Sequence, residues 1–152
     1  MPSPLRYAGG KTRAIKPIQA SLPDIPSKRI VSIFFGGGSL ELSLLDKGYE
    51  VIGYDIFDFL VNFWEHIISH PDKLARELEK LIPDRENFTR NRHILLNFWE
   101  KVKPTDLQYH TRKLIELTPQ EKELLDNNKL LQATYYYYNH QLSYGPMFLG
   151  WA

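Results

Sequence analysis

The stretch 29-RIVSIFFGGGSLELSLLDKGYEVIGYD-55 decides the fold. It begins and ends with the apolar runs Arg29–Phe35 and Tyr49–Asp55, which lack polar alternation and are typical of parallel strands buried on both faces. The residues between them predict a helix over Ser39–Gly48, with Gly48 where a helix C-cap belongs. The apolar face of this helix would consist of Leu40, Leu44 and Leu45. The order strand, helix, strand predicts a right-handed crossover, parallel pairing and an α/β fold.

The composition of the whole chain excludes several classes of protein. Its 152 residues, 43% of them hydrophobic, suit one globular domain. The 19 basic and 18 acidic residues nearly balance, so the net charge does not indicate nucleic-acid binding, although a local basic patch is possible. The absence of cysteine excludes disulfides and thiolate metal sites. No apolar run reaches bilayer length, so we expect a soluble intracellular protein without a membrane partner.

Helical patterns dominate the chain outside this unit. The sequence predicts a short helix over Lys11–Leu22. After the second strand it predicts amphipathic helices, one of which restarts after Pro71. Further on, a helix is expected to begin where Thr118, Pro119 and Glu121 occupy the positions of an N-cap, an N1 proline and a capping-box acid.

The glycines after the first strand and the aspartate that closes the second strand indicate an adenosine-type ligand. Glycines let the backbone approach a ligand, and the Asp55 carboxylate can hold two sugar hydroxyls. The dinucleotide pattern G-x-G-x-x-G has Gly36 and Gly38 here, but Glu41 takes the third place and would repel a pyrophosphate. A dinucleotide oxidoreductase is therefore the minority alternative. S-Adenosylmethionine, which has no phosphate, suits the turn better.

A second glycine motif, RYAGGK, precedes this unit at Arg6–Lys11. A Walker-type phosphate loop would require glycine at position 5, where Leu5 stands, and an apolar strand before it, so that interpretation fails. The turn Phe34-x-Gly36-x-Gly38 matches the F-x-G-x-G turn that methyltransferases place at S-adenosylmethionine. Taken alone, such a turn is equally typical of simple strand-to-helix packing.

In order along the chain, RYAGGK, FFGGGSLEL and GYDIFDFLVNFW resemble the motifs of Dam-type adenine-specific DNA methyltransferases, particularly the branch carried by large algal viruses and their restriction-modification-like systems. The resemblance implies a Rossmann-like methyltransferase fold, S-adenosyl-L-methionine as cofactor and double-stranded DNA as substrate. It also implies a cytoplasmic location, or the interior of a host cell if the protein is viral. The motifs span about the first third of the chain, and the aromatic stretch YYYYNHQLSYG is a weaker match.

The resemblance assigns roles to particular residues. Tyr7 would pack on the cofactor, Lys11 would hydrogen-bond its methionine carboxylate, and Asp55 would bind the ribose hydroxyls. The turn that passes under the methionine portion would be formed by Phe34, Gly36 and Gly38. In the aromatic stretch, Asn139 would either face the substrate or cap a helix.

Two departures from the family pattern affect this site. Many relatives have Glu-Pro before the glycine turn, whereas this chain has Ser32-Ile33, so any contact of that glutamate is missing or made by another residue. Two residues past Asp55 the family often has asparagine, and Phe57 stands here. The first departure concerns cofactor affinity, and the second concerns the edge of the adenine pocket.

The family's catalytic loop is absent from this sequence. That loop, Asp-Pro-Pro-Tyr, accepts hydrogen bonds from the adenine amino group and stacks on the flipped base, and the chain contains no Pro-Pro pair. We therefore expect no catalytic residue here. Because the loop is missing and the chain ends on an apolar run, we interpret the chain as the N-terminal part of a longer protein. Residues 1–70 would be the cofactor-binding βαβ part, and residues 71–152 a helical segment leading to the DNA target-recognition region. The alternative is a non-catalytic cofactor- or DNA-binding remnant, or one half of a split methyltransferase with a complementary chain.

One polar stretch supplies candidates for contacts with DNA phosphates or base edges, although each of them is individually more typical of a solvated surface. These candidates are Arg85, Asn87, Phe88, Arg90, Asn91, Arg92 and His93. The pair His66 and His70 has the i, i+4 spacing of some zinc sites but lacks the glutamate of H-E-x-x-H, so no metal site is expected.

Overall fold

The computed structural model describes residues 1–99, 117–145, 150 and 152. The chain forms two compact units, Met1–Asp58 and Phe59–Ala152, which we call the N-terminal unit and the helical unit. These units meet at residue 58, and the functional division after residue 70 that the sequence suggests stays a prediction. The apolar run at 148–151 lies outside the described residues, apart from Gly150. No helix in the described part of the chain is both long enough and apolar enough to cross a membrane.

The N-terminal unit contains two strands and two helices: α1 (Ile15–Ser21), β1 (Arg29–Ser32), α2 (Ser39–Leu45) and β2 (Glu50–Gly53). A short 3-10 turn precedes α1 at Thr12–Ala14. The strands pair in parallel, with Ile30 opposite Val51 and Ser32 opposite Gly53, which confirms the predicted pairing. All the predicted elements are present, but each strand is shorter than the apolar run that predicted it.

The strands are less buried than their sequence predicts. Exposed and half-buried residues alternate along β1, and 55% of Val31 is accessible to solvent. The prediction that both strands are buried on both faces is therefore wrong. The physical reason is that the sheet of the described residues has two strands, so each strand is an edge, and α2 packs against β2.

The buried face of α2 also differs from the prediction. The predicted face included Leu45, but this residue is exposed and the buried residues are Glu41, Leu42 and Leu44. A charged residue thus takes part in the buried face, which a pattern of leucines cannot indicate. The helix ends as predicted: Gly48 has a positive φ of 80°, and the Tyr49 N–H donates to the Leu44 carbonyl at 3.1 Å, as in a Schellman motif.

The helical unit is built from five described helices: α3 (Asp58–Ser69, with its first residue in the N-terminal unit), α4 (Pro71–Glu79), α5 (Arg85–Trp99), α6 (Pro119–Asn127) and α7 (Lys129–Leu142). The aromatic helix α7 packs against α4, α5 and α6. The predicted capping box of α6 is confirmed, because the Glu121 N–H donates to the Thr118 hydroxyl and the Thr118 N–H donates to the Glu121 carboxylate. The helix α4 begins at Pro71 itself, whereas the sequence predicted that it restarts after this residue.

Aromatic residues form the core of the helical unit. Phe63 is fully buried, and its ring stacks on Tyr137 at 5.0 Å and tilts against Tyr136 at 6.1 Å. Polar side chains inside the core donate to backbone carbonyls, as Asn62 does to the Lys129 carbonyl at 2.7 Å. A buried amide that is paired in this way stabilises one arrangement of the helices, because breaking the pair would leave a buried group unsatisfied.

Candidate functional site

The glycine turn between β1 and α2 has a backbone that a larger residue would not readily adopt. Gly36 and Gly38 have positive φ values of 53° and 65°. The turn is fixed at both ends, because the Phe35 N–H donates to the Tyr54 carbonyl at 2.9 Å and the Gly38 N–H donates to the Phe35 carbonyl at 3.0 Å. Glycine at both positive-φ positions follows from the absence of a Cβ.

The RYAGGK segment folds over this turn. Its own tight turn is closed by the Gly10 N–H, which donates to the Tyr7 carbonyl at 3.0 Å. The Tyr7 side chain then lies on the backbone of the glycine turn: a Cβ added to Gly37 would stand 2.5 Å from the Tyr7 Cβ, and one added to Gly36 would stand 3.2 Å from its ring. The approach of tyrosine to backbone therefore requires glycine at both positions.

Asp55 holds the glycine turn from the other side. Its Oδ2 accepts a hydrogen bond from the Gly36 N–H at 2.8 Å, and its Oδ1 accepts one from the Phe57 N–H at 3.1 Å. The aspartate is thus a structural residue of the turn, whatever else it binds. Burial, and secondarily the negative charge of Asp55, raise the pKa of the Tyr7 hydroxyl above its usual value, so Tyr7 stays a neutral hydrogen-bond donor at neutral pH.

These segments enclose a cleft of about 280 Å³, which we call the glycine cleft. All six residues proposed from the sequence to bind a cofactor line it, and they come from three separate parts of the chain: Tyr7, Lys11, Phe34, Gly36, Gly38 and Asp55. Phe34 lines the cleft with 76% of its surface accessible to solvent. The structure thus brings the six predicted residues together in one cleft.

Glu41 is a cleft residue to which the sequence assigned no binding role. It lines the glycine cleft with only 6% of its surface exposed, and its Oε1 accepts a hydrogen bond from the Ser32 hydroxyl at 2.7 Å. The carboxylate that contacts Ser32 therefore belongs to α2. A polar residue inside the apolar pattern of α2 was the only sequence signal for this arrangement.

Two further glycines matter to the site through packing. Gly37 is buried, lines the cleft and lies under Tyr7, and its carbonyl accepts a hydrogen bond from the Ser3 hydroxyl. In β2, a Cβ at Gly53 would overlap the ring of Phe35, which therefore lies directly on the strand. The sequence shows both glycines, but only the fold shows which ring covers each of them.

Three of the seven proposed DNA-contacting residues of α5 are buried. Phe88, Asn91 and His93 are buried, so they are not available to phosphates or base edges and the prediction for them is wrong. The reason is that α5 packs against α7, and residues at helical spacing fill that interface. Asp84 caps the start of the helix, because its Oδ1 accepts a hydrogen bond from the Asn87 backbone N–H at 2.7 Å.

The arginines of α5 differ in their surroundings. Arg85 and Arg90 are exposed, and Arg90 forms an ion pair with Glu121 at 2.8 Å. Burial, with a smaller effect of the nearby Arg85 charge, lowers the pKa of the partly buried Arg92 below its usual value. Arg85 and Arg90 are thus the members of the proposed set whose charge is presented to solvent.

Asn139 is a packing residue. It is completely buried, and its Nδ2 donates to the Phe88 carbonyl at 3.0 Å, which ties α7 to α5. Neither alternative considered from the sequence, substrate contact or helix capping, describes this role.

His66 lies in α3 and His70 directly follows the helix, at the spacing that suggested a metal site. The rings of His66 and His70 are 6.4 Å apart, and the His66 Nδ1 is 2.8 Å from the Asn62 carbonyl oxygen. Within residues 1–99, 117–145, 150 and 152, no set of three or more metal-ligating side chains comes together.

The class of this protein follows from a comparison with known families, with which the fold and the cleft are compatible. A parallel strand pair joined by a helix, with a glycine turn after the first strand and an acid after the second, places a cleft at the carboxyl ends of the strands, where α/β proteins bind their ligands. A model of the D12 class N6 adenine-specific DNA methyltransferases matches residues 7–146 of the chain. The protein therefore belongs to this family of adenine-specific DNA methyltransferases, as its motifs indicate. A search of curated proteins gave no match.

Proposed function

We propose that the chain binds S-adenosyl-L-methionine in the glycine cleft and serves the methylation of adenine in double-stranded DNA as a cofactor-binding part with a Rossmann-like fold. The observation that carries this proposal is the convergence of RYAGGK, the glycine turn and Asp55 on one cleft. Family membership supports adenine in DNA as the substrate. When bound, the cofactor supplies a methyl group activated by a cationic sulfonium.

The cleft suits an adenosine ligand with an amino-acid tail. Each carboxylate oxygen can accept more than one hydrogen bond, so Asp55 can bind ribose hydroxyls while it holds Gly36 and Phe57. Lys11 has an exposed ammonium group that is in no ion pair with a described residue, and it is proposed to bind the methionine carboxylate. The glycine turn leaves room for the methionine portion beside Phe34 and Tyr7.

The charges of the cleft speak against a dinucleotide. Glu41 and Asp55 both line it, and a pyrophosphate would meet two carboxylates there. A sulfonium compound without phosphate meets no such repulsion. A dinucleotide oxidoreductase therefore explains the cleft less well than a methyltransferase does, in agreement with the family match.

The methyl-transfer step is not assigned to residues of this sequence. The 152 residues contain no Pro-Pro pair, so they lack the loop that would orient the adenine amino group. This observation favours a second candidate function, in which the chain holds cofactor or DNA without chemistry or acts with a complementary catalytic chain.

We propose the cytoplasm, or the interior of a host cell for a viral protein, as the location of this protein.

The cofactor proposal is tested by calorimetric titration with S-adenosylmethionine, with NADH as the control ligand. Lys11→Ala is the sharpest variant because the Lys11 side chain makes no hydrogen bond to a described residue, so its loss leaves the turn intact. We expect about 10- to 100-fold weaker binding, the cost of one hydrogen bond to a charged group. The matched control is Lys16→Ala, an exposed lysine outside the cleft, which should bind as the wild type does. Equal affinity in both variants, or binding of NADH alone, would refute the proposal.

Catalysis is tested separately by transfer of a labelled methyl group to adenine-containing duplex DNA. A chain that binds the cofactor but transfers no methyl group would support the second candidate function. Transfer by the chain alone would refute it and would show that other residues orient the adenine.

A further inference from the structure

Glu41 differs from the other carboxylates of the N-terminal unit in being both buried and directed to the glycine cleft. Its Oε1 accepts a hydrogen bond from Ser32, and no described residue donates to its Oε2 or forms an ion pair with it. Burying a carboxylate without a cation is costly, and such groups are normally paired. Oε2 is therefore available to a partner that enters the cleft.

Lys11 lies on the same cleft with the opposite charge. Neighbours of both residues are joined, because the Thr12 hydroxyl donates to the Ser39 hydroxyl at 3.2 Å, one residue after Lys11 and two before Glu41. Even so, Lys11 and Glu41 form no ion pair with each other. Two opposite charges that line one cleft without neutralising each other are complementary to a ligand that itself carries both charges, such as a free amino acid group.

We propose that the Oε2 of Glu41 binds the α-ammonium group of the cofactor's methionine portion, so that Glu41 and Lys11 together select a zwitterionic ligand. This inference rests on the proposed function. An ammonium has three N–H donors that match the unpaired carboxylate oxygen, whereas a sulfonium has no such donor. Ser32 is the positioning residue, since its hydroxyl fixes the other oxygen of the same carboxylate.

The test is calorimetric titration of Glu41→Gln with three ligands. S-Adenosylmethionine has both the amino acid group and the sulfonium, S-adenosylhomocysteine has only the amino acid group, and 5′-methylthioadenosine has neither. The glutamine keeps the size of the side chain and an oxygen for Ser32 but removes the charge. The matched control is Glu50→Gln, an exposed glutamate outside the cleft that pairs with Arg29.

We expect Glu41→Gln to weaken the binding of S-adenosylmethionine and of S-adenosylhomocysteine by the same factor, about 10- to 100-fold. The affinity for 5′-methylthioadenosine should stay the same. Ser32→Ala should show the same pattern with a smaller loss, and it provides the test if Glu41→Gln unfolds. Loss confined to S-adenosylmethionine would assign Glu41 to the sulfonium and overturn the inference, as would equal loss for all three ligands or no loss for any.

The outcomes separate this inference from the proposal on which it rests. A folded wild-type chain that binds none of the three ligands refutes the cofactor-binding function itself. A wild-type chain that binds them and a Glu41→Gln variant that binds them equally well refute only the role of Glu41.

Discussion

The glycine cleft and the core of the helical unit both contain polar side chains with little exposure, but they use them differently. In the helical unit, Asn62 and Asn139 donate to backbone carbonyls of other helices. In the cleft, the nearly buried Glu41 has one carboxylate oxygen to which no described residue donates a hydrogen bond. A buried polar group whose bonds are made within the fold is part of the structure, whereas one whose bonds are incomplete at a cleft is available to a ligand.

The largest effect on stability should follow from removing an aromatic ring from the core of the helical unit. We expect Phe63→Ala to lower the free energy of unfolding by about 3–5 kcal/mol, because it removes a fully buried ring that contacts Tyr136 and Tyr137. Urea denaturation followed by circular dichroism measures the change. Ile68→Ala on the same helix is the control, since 76% of this side chain is already exposed. Similar losses in the two variants would show that the core does not depend on Phe63.

The next effect concerns the packing of the cleft. Gly37→Ala should destabilise the protein by about 1–3 kcal/mol and weaken cofactor binding, because the new methyl group overlaps Tyr7. The matched control is Gly145→Ala, where no atom lies within 4 Å of the added Cβ. Thermal unfolding and ligand titration are measured on both. If Gly37→Ala behaves like Gly145→Ala, the close approach of Tyr7 to the turn is not a requirement of the site.

A third prediction distinguishes polar side chains that stabilise the fold from those that bind the ligand. Asn139→Ala should cost about 1–2 kcal/mol of stability, because the Phe88 carbonyl loses its donor, while the affinity for S-adenosylmethionine stays the same. Asn127→Ala, an exposed asparagine at the end of α6, serves as the control and should change neither quantity. Weaker cofactor binding by a stable Asn139→Ala variant would contradict the division between the two regions.

The smallest effect is the pH dependence of the α6 cap. The hydrogen bond from the Thr118 backbone, with smaller contributions from the Thr118 hydroxyl and from Arg90, lowers the pKa of Glu121 below its usual 4.5. A depressed pKa contributes stability above the unfolded-state value, and this contribution is lost as the pH falls through the folded-state value. The wild type should therefore exceed Glu121→Gln in melting temperature at neutral pH, and the difference should shrink below pH 4.5.

Glu123→Gln on the same helix is the control for this cap, since the Glu123 side chain makes no hydrogen bond to a described residue. A difference between the wild type and Glu121→Gln that is independent of pH would show that the charge of Glu121 does not contribute.

The sequence predicts those features that depend on neighbouring residues. Gly36 and Gly38 predict the turn, Thr118 predicts the start of α6, and the order of the elements predicts the parallel pairing. Features that depend on distant packing were not predictable in this way. The exposure of Val31 depends on how many strands flank it, and the burial of His93 depends on where α7 packs.

The same distinction explains the candidate site. The six cofactor residues come from local motifs and line one cleft. Glu41 was recognised in the sequence only as a residue in the place of a glycine, because its hydrogen bond to Ser32 joins a helix to a strand. A carboxylate on an apolar helix face becomes informative only when its partner across the fold is known.

The central claim is that the ligand binds at the glycine turn and not among the buried polar groups of the helical unit. Nuclear magnetic resonance of the 15N-labelled chain during titration with S-adenosylmethionine tests it most directly. We expect the largest amide shifts at Gly10, Lys11, Gly36, Gly38 and Phe57. Shifts concentrated at Asn91, Asn139 or their neighbours, or no shifts at saturating cofactor, would contradict it.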